Sequence, residues 1–522
     1  MSPPTSIASP GARIPPQGSS SDLARDGDAE VLICGAGAAG LTLAIDLSRR
    51  GTPFRLIDKR DEPFAGSRGK GIQPRTQEIF EDLGVIDRIF SVGGPYPPQR
   101  LYRDDGSFEE ADPERLEPTP AEPYQATLMV PQFLTERVLR ERLAELGHAP
   151  EFGCELTGLS VEEDGVSARL ARRGRDDSMR VAYLVGADGG NSFVRQALDI
   201  EFPGKTLGVR AIVADLVLTG LERDAWHRFN ETSMGQQVML CPLAGTEFFQ
   251  LQAAIPPDGD VDLTAAGLTD FIAGRTGRDD IRVESVSWAS AYRMNARLAD
   301  RYRVGRAFLI GDAAHVHPPT GAQGLNTSVQ DAYNLGWKLA AVTSGASDTL
   351  LDSYEQERRP VAAHMLGLST DLLDALKRGQ LRRGREVHQL DIGYAGSSLA
   401  FEARGEADGL LAGDRAPDAL LRGAGGQPRR LHEVFKGAHW TLLGCDVERD
   451  VVPPRPGLHI HRVGRSGDLL DEGGHFSRAY GVRPGEWVLV RPDGYVGAII
   501  ASEHLEALER YLRDLGLAVL PE

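Results

Sequence analysis

Apolar and polar positions change period several times along the chain, and each change marks an element. Residues 30–34 form an almost unbroken apolar run that reads as a short buried strand. Glycines 35, 37 and 40 follow at once. Leu41, Ala44, Ile45 and Ser48 then recur at helical spacing, with Asp46, Arg49 and Arg50 on other faces. Residues 54–57 make a second strand ending on Asp58, and 307–310 a further apolar strand ending on Gly311-Asp312. From about Thr327 a helical stripe runs through Val329, Ala332, Tyr333, Gly336, Leu339 and Ala340. Residues 206–290 leave this alternation, with strand-like stretches at 211–218, 237–241, 247–254 and 282–287 and turns such as Pro256-Pro257-Asp258-Gly259 between them. Residues 352–376 read as mainly helical, with Pro360 marking a kink or break. Residues 488–496 read as strand, turn, strand.

This succession predicts an α/β chain. A Rossmann-like dinucleotide-binding domain spans 29–205 and resumes over 291–395, with a β-sheet domain inserted at 206–290 that lies over the cofactor as a substrate lid. Residues 396–522 form a separate unit opening near Gly413-Asp414-Arg415-Ala416-Pro417-Asp418. Residues 1–28 are rich in Ser, Pro, Gly and Ala and lack the apolar core of a signal peptide, so a disordered tail is expected. At 522 residues, several domains are required. A net charge of −17 argues against nucleic acid or an anionic membrane as partner. No apolar run approaches the ~20 residues of a membrane span. The cysteines, at 34, 154, 241 and 445, are too scattered for a redox or zinc pair, which points to a reduced, cytoplasmic protein.

Strand, glycine turn and helix in that order are the context in which Gly35-Ala36-Gly37-Ala38-Ala39-Gly40 binds a dinucleotide. Gly35 permits the tight turn, Gly37 bares the backbone to the pyrophosphate, and Gly40 lets the helix pack on the strand, whose neighbouring helix N-terminus offers free N–H groups. Asp58, with Lys59 beside it, stands where a carboxylate accepts the ribose hydroxyls, favouring FAD or NAD over NADP at this end. In the second glycine-rich segment, Gly311-Asp312-Ala313-Ala314-His315 is followed by Pro318-Pro319-Thr320-Gly321-Ala322-Gln323-Gly324-Leu325-Asn326. Asp312 is suited to ribityl or ribose hydroxyls. The N–H groups near Leu325 and Asn326, at the positive end of a helix, are suited to the carbonyl of a reduced flavin. Together the two segments describe one FAD held at both ends. His315 and His317 lack further Cys or His nearby, so no metal is assigned.

With a third segment, Leu184-Val185-Gly186-Ala187-Asp188-Gly189-Gly190-Asn191-Ser192-Phe193-Val194-Arg195, the chain resembles the FAD-dependent aromatic hydroxylases. These are single-component flavoprotein monooxygenases that include para-hydroxybenzoate hydroxylase, and the likeness is to the polyketide and phenol branch. The resemblance implies that Asp188 supports FAD and NAD(P)H use with Arg195 as its companion. It further implies that Arg68 lies near the pyrophosphate and Gln132 beside the flavin and ribityl chain. Gly311, Pro319, Gly321 and Gly324 would shape the loop at the flavin. Where the family often has two glycines this chain has Gly321-Ala322.

The resemblance implies hydroxylation of an aromatic polyketide or substituted phenol through a flavin C4a-hydroperoxide, with NADPH or NADH as transient co-substrate and O2 as oxidant. Such chemistry needs no side-chain nucleophile. Trp226, Met239, Phe248 and Pro319 are candidates for the substrate pocket. Residues 396–522 resemble the thioredoxin-like tail of this family but carry no CxxC, which leaves packing or interaction as their role. The motifs hold FAD without choosing the substrate. A Baeyer–Villiger oxygenase, an epoxidase, a redox-neutral cyclase or dehydratase, and an inactive flavin-binding interaction protein stay open, as does a homodimer. The WxWxIP segment of flavin halogenases and the cysteine pair of dithiol reductases are both absent.

Overall fold

The computed structural model describes residues 29–517 apart from 114–115, 232, 234, 319–320, 378–383, 406–408, 450 and 466. The expected tail 1–28 and the expected site residue Pro319 therefore lie outside the described residues.

Four short parallel strands organise the first half. Val31–Cys34 pairs in parallel with Phe54–Asp58 on one side and with Tyr183–Gly186 on the other, and Tyr183–Gly186 pairs in parallel with Ala307–Leu309. Glu151–Phe152 and Arg303–Val304 complete this six-stranded sheet at its edges. All four residues of Val31–Cys34 are buried, as expected for a strand covered on both faces. The helices Ala38–Arg49 and Gly324–Thr343 pack on this sheet and on each other. The three antiparallel strands Cys154–Val161, Val166–Arg172 and Arg175–Val181 form a small separate sheet before Tyr183–Gly186.

The register decides where the motifs go. Cys34 stands opposite Gly186 and Ile57, and Gly186 opposite Leu309. Neighbouring strands thus end level, and Gly35, Asp58, Asp188 and Asp312 emerge side by side at their carboxyl ends, the edge where α/β sheets bind ligands. Backbone bonds stitch the turns together, from Gly35 N–H to Ile57 O (2.7 Å), Ala187 N–H to Cys34 O (2.8 Å) and Ile310 N–H to Gly186 O (3.0 Å).

The second sheet is larger than the 206–290 reading. It has eight strands, dominated by Gly204–Thr219 and Arg282–Leu298, which pair antiparallel along most of their length. Its far edge is built from Gln99–Tyr102 and Phe108–Ala111, and its near edge from His315–Val316. Trp226–Phe229 and the helix Ala265–Thr276 also belong here and carried no clear period in the sequence. Of the kink or break expected at Pro360, the break does not occur, because Asp352–Lys377 is one helix with Pro360 inside it. The proline removes one intrahelical bond, but Tyr354, Ala362 and Leu373 on the same helix are fully buried, and that packing carries the helix through. The flavin-side helix starts at Gly324 rather than about Thr327.

The C-terminal residues form a mixed eight-stranded sheet with an apolar cluster of its own and a second cluster that it shares with Trp337 and Leu350 of the first unit. Buried charge joins that apolar packing in docking it on the first unit. Arg491 reaches Glu357 (2.6 Å) and Asp493 (2.6 Å), Lys338 reaches Glu357 (2.7 Å), and Trp337 Nε1 donates to Asp493 (3.0 Å). All four charged side chains are essentially inaccessible.

Candidate active site

A cavity of 690 Å³ opens at the carboxyl ends of the parallel strands and reaches across to the second sheet. Its volume lies within the range of small-molecule and cofactor sites. Gly35, Gly37, Ala38, Ala39, Asp58, Lys59, Arg68, Gln132, Asp188, Asp312, Gly324 and Leu325 line it together, joined by Trp226 from the second sheet. Residues expected from three distant segments thus share one wall.

At one end Gly35 takes φ = 114°, and a Cβ there would lie 2.2 Å from Ala187 O, so the turn admits only glycine. A Cβ on Gly37 would instead project toward the cavity, 3.8 Å from Glu136 Oε1. Asp58 Oδ2 accepts from the Ala36 N–H (2.9 Å) and from Arg60 Nη2 (2.9 Å). Burial raises the Asp58 carboxyl, but hydrogen bonds from Arg60 and from the backbone N–H groups of Ala36 and Arg60 outweigh it and hold the group below its usual range. Arg68 stands over the Phe64 ring at 5.3 Å and near Trp288 at 6.0 Å, with its guanidinium open to the cavity.

The third segment is tied to the second by Arg195, which donates to Ala313 O (2.8 Å) and Gly190 O (2.8 Å). Asp188 Oδ2 accepts from the Val194 N–H (3.1 Å), and its buried Oδ1 has no partner among the described residues. Asp312 faces the cavity; burial raises its carboxyl, partly opposed by His315 and Arg68. Gln132 Nε2 donates to Glu136 Oε1 (2.8 Å), and burial raises the Glu136 carboxyl.

Several expected residues stand outside the wall. Gly40 packs helix on strand, since a Cβ there would lie 1.9 Å from Gly35 O. Gly311 and Gly321 shape the loop without facing the cavity. Asn326 is occupied as a clamp, its Nδ2 donating to Gly71 O (2.8 Å) and Ala322 O (2.7 Å) and its Oδ1 accepting from the Gln73 N–H (2.9 Å). Met239 and Phe248 do not line the cavity. They pack with Cys241, Leu243 and Met129 behind Trp226, where their apolar surface is covered by each other.

Sequence reasoning missed Glu136, Lys70 and Arg60, which line the cavity, and Asp331, which supports it. Asp331 Oδ2 accepts from the Gly311 N–H (3.1 Å) and lies 2.6 Å from His315 Nε2, while Arg358 donates to its Oδ1 (2.8 Å). The only signal for Asp331 was a charge two residues past Val329, inside the helical stripe.

These residues fit FAD. A bare backbone with an open cation beside it suits a pyrophosphate, and the cavity-facing carboxylates Asp58 and Asp312 flank it where sugar and polyol hydroxyls would lie. The unpartnered Asp188 oxygen is a further acceptor waiting for a donor.

Residues 28–369 match the FAD binding domain family. A flavin-dependent monooxygenase of Mycobacteroides abscessus is 43% identical over 479 residues, covering 90% of this chain and 97% of the relative. The 6-methylpretetramide 4-monooxygenase of Streptomyces rimosus is 34% identical over 94% of both chains. Among solved structures, the ternary complex of aklavinone-11 hydroxylase with FAD and aklavinone superposes with a TM-score of 0.82 at 27% identity, covering 94% of this chain and 99% of the other. On fold, motif geometry and relatedness alike, this chain belongs to the FAD-dependent monooxygenases of the aromatic hydroxylase family.

Proposed function

We propose that the enzyme hydroxylates an aromatic polyketide or substituted phenol, using NAD(P)H and O2. The observation that carries this is continuity, since one cavity runs from Gly35 and Asp58 past Asp188 and Asp312 to an aromatic wall of Tyr96, Trp226 and Tyr292. The acceptors named for two relatives, 6-methylpretetramide and aklavinone, support a substrate of that class.

In this reading Gly37 and Arg68 receive the pyrophosphate, Asp58 the adenosine ribose and Asp312 the ribityl chain. Gln132 and Asp188 lie along the middle. The first N–H groups of the Gly324–Thr343 helix, at Leu325 and Asn326, meet the pyrimidine edge. Bound FAD supplies what no side chain here offers, acceptance of a hydride and activation of oxygen. The protein's part is to hold the acceptor ring against the cofactor and keep the reacting face dry.

The division into 29–205 with 291–395 for the cofactor, 206–290 for the substrate and 396–522 as a thioredoxin-like unit belongs to the same proposal. Support for the last comes from the parallel pair Trp440–Cys445 and Leu458–Val463 beside the antiparallel hairpin Glu486–Val490 and Val496–Ala501. Its single cysteine, Cys445, is buried, which favours docking over redox work. Four buried cysteines, none of them in a disulfide, also support a cytoplasmic setting. Among the described residues no helix is long and apolar enough to cross a membrane.

The test is NAD(P)H oxidation by the FAD-loaded protein against phenols and polyketide aromatics, with oxygen uptake and product mass followed together. Substrate-stimulated oxidation with one oxygen atom gained is expected. Conversion without NAD(P)H or oxygen overturns the reading in favour of redox-neutral chemistry.

A further inference from the structure

The loop that carries Arg68 is held by the second sheet as well as by the cofactor unit. On the cofactor side, Gly69 O accepts from the Gln132 N–H (3.0 Å) and Lys70 O from the Val130 N–H (2.8 Å). On the other side three residues stand in one row across neighbouring strands, Gln250 opposite Asp215 and Asp215 opposite Trp288. Gly66 lies flush on the Trp288 ring, where a Cβ would come within 2.2 Å of Cδ2. Gln250 takes both ends of the rest of the loop, donating from Nε2 to Ser67 O and accepting at Oε1 from Lys70 Nζ (2.7 Å). Gln250 and Ser67 have no exposed surface.

These bonds fix which way the Gln250 amide points. An ammonium only donates, so the amide must show Lys70 its oxygen, and the NH2 group is thereby aimed at Ser67 O. Gln252, which lines the cavity, donates to the same oxygen (2.9 Å) and reinforces that orientation. Between the two clamped residues the chain holds only Arg68 and Gly69. The Arg68 guanidinium stands 5.3 Å over the Phe64 ring and 6.0 Å from Trp288, the far member of the same row. The course of the backbone on either side of Arg68, and one of the two rings its guanidinium faces, are thus supplied by the second sheet.

We propose that Gln250 is a positioning residue for the cofactor, fixing through Ser67 and Lys70 the loop on which Arg68 meets the pyrophosphate. The sheet that forms the acceptor end of the cavity then also sets how tightly FAD is held. The inference rests on the placement of FAD in the hydroxylase reading and deepens it. Gln250 is off the cavity wall, so its effect reaches the cofactor only through the loop.

The test titrates FAD into the full chain stripped of flavin, read by quenching of flavin fluorescence at several salt concentrations. Wild type, Gln250→Leu, Arg68→Met and the double variant are compared, with the melting temperature of each as the check on folding. Gln250→Leu is expected to bind FAD about tenfold more weakly and with a shallower dependence on salt, because the displaced cation no longer pairs with the phosphates. Arg68→Met should lose at least as much, and the double variant should bind within about twofold of Arg68→Met alone. Trp288→Leu, which unseats Gly66 at the other end of the row, should couple to Arg68→Met in the same way and decides the matter if Gln250→Leu does not fold. Unchanged FAD affinity in a folded sheet variant or in Arg68→Met overturns the proposal. So do losses that simply multiply in the double variant, since Gln250 would then act on the fold at large rather than through Arg68. Neither NAD(P)H nor an acceptor is present, so failure here is distinguishable from failure of the hydroxylase reading.

Discussion

Asp215→Asn should make the protein more stable at neutral pH, although it removes a buried charged group near the site. Asp215 sits within Gly204–Thr219, between Gln250 on one neighbouring strand and Trp288 on the other. Its side chain has no exposed surface. Desolvation raises its carboxyl from 3.8 to about 6, with the neighbouring polar Ser67 and the charge of Lys70 taking back part of the penalty. The folded protein therefore holds this proton more tightly than the unfolded chain does. Stability from this group is fullest below about pH 4, falls as pH rises toward 6, and stays flat above. At about 1.4 kcal/mol per pH unit the loss amounts to about 3 kcal/mol at pH 7.5. Asparagine keeps the shape and never ionises, so it avoids that loss. Thermal unfolding followed by tryptophan fluorescence at pH 4, 6 and 7.5 should show variant and wild type converging at the acid end and separating in the variant's favour above it. An Asp215→Asn protein less stable than wild type at pH 7.5, or a difference that does not vary with pH, refutes the argument.

Arg491→Met should cost about 3–5 kcal/mol, because it leaves the buried carboxylates of Glu357 and Asp493 without their guanidinium, and an unchanged melting temperature would contradict that. Ala322→Gly should stabilise the apoprotein by roughly 0.5–1 kcal/mol, since Ala322 is held at φ = 53°, where a side chain is strained; a lower melting point would show that the methyl's packing outweighs the strain. Gly37→Val fills the bared backbone and Asp312→Ala removes a cavity-facing carboxylate, so both proteins should purify folded but colourless, and stoichiometric FAD in either would refute the site assignment.

The cofactor end was legible because its determinants are local. A strand, a glycine turn and a helix occupy consecutive residues, and parallel strands in level register bring Gly35, Asp58, Asp188 and Asp312 to one edge without further instruction. The sheet over the cavity was half legible. Its strands show the right period, yet Gln99–Tyr102 and Phe108–Ala111 join it from far upstream, and nothing within those residues names their partner. Trp226, Met239 and Phe248 all read as apolar. Which of them faces the cavity depends on what stands behind the strand, and there Cys241, Leu243 and Met129 claim the latter two. Lys70 was hidden for the opposite reason, as a lysine in a glycine-rich loop reads as solvated surface until Gln250 and Trp226 arrive from the sheet.

The charges that hold the units together were least legible, and they explain why the C-terminal residues belong to the enzyme's working structure. Glu357 and Arg358 are neighbours on the Asp352–Lys377 helix, and each is buried against a different unit. Glu357 receives Arg491 from the C-terminal sheet (2.6 Å) and Lys338 from the flavin-side helix (2.7 Å). Arg358 grips Asp331 on that same helix (2.8 Å), and Asp331 holds the Gly311 N–H (3.1 Å) in the turn that presents Asp312. One turn of helix thus bears on the C-terminal unit and on the cofactor turn at once. Removing the C-terminal residues would leave Glu357 with Lys338 as its remaining cation among these partners, and the helix that braces the Gly311 turn would lose its outer support. A sequence shows four unremarkable charged residues at 331, 357, 358 and 491, and only their burial in one another's reach makes them a brace for the flavin site.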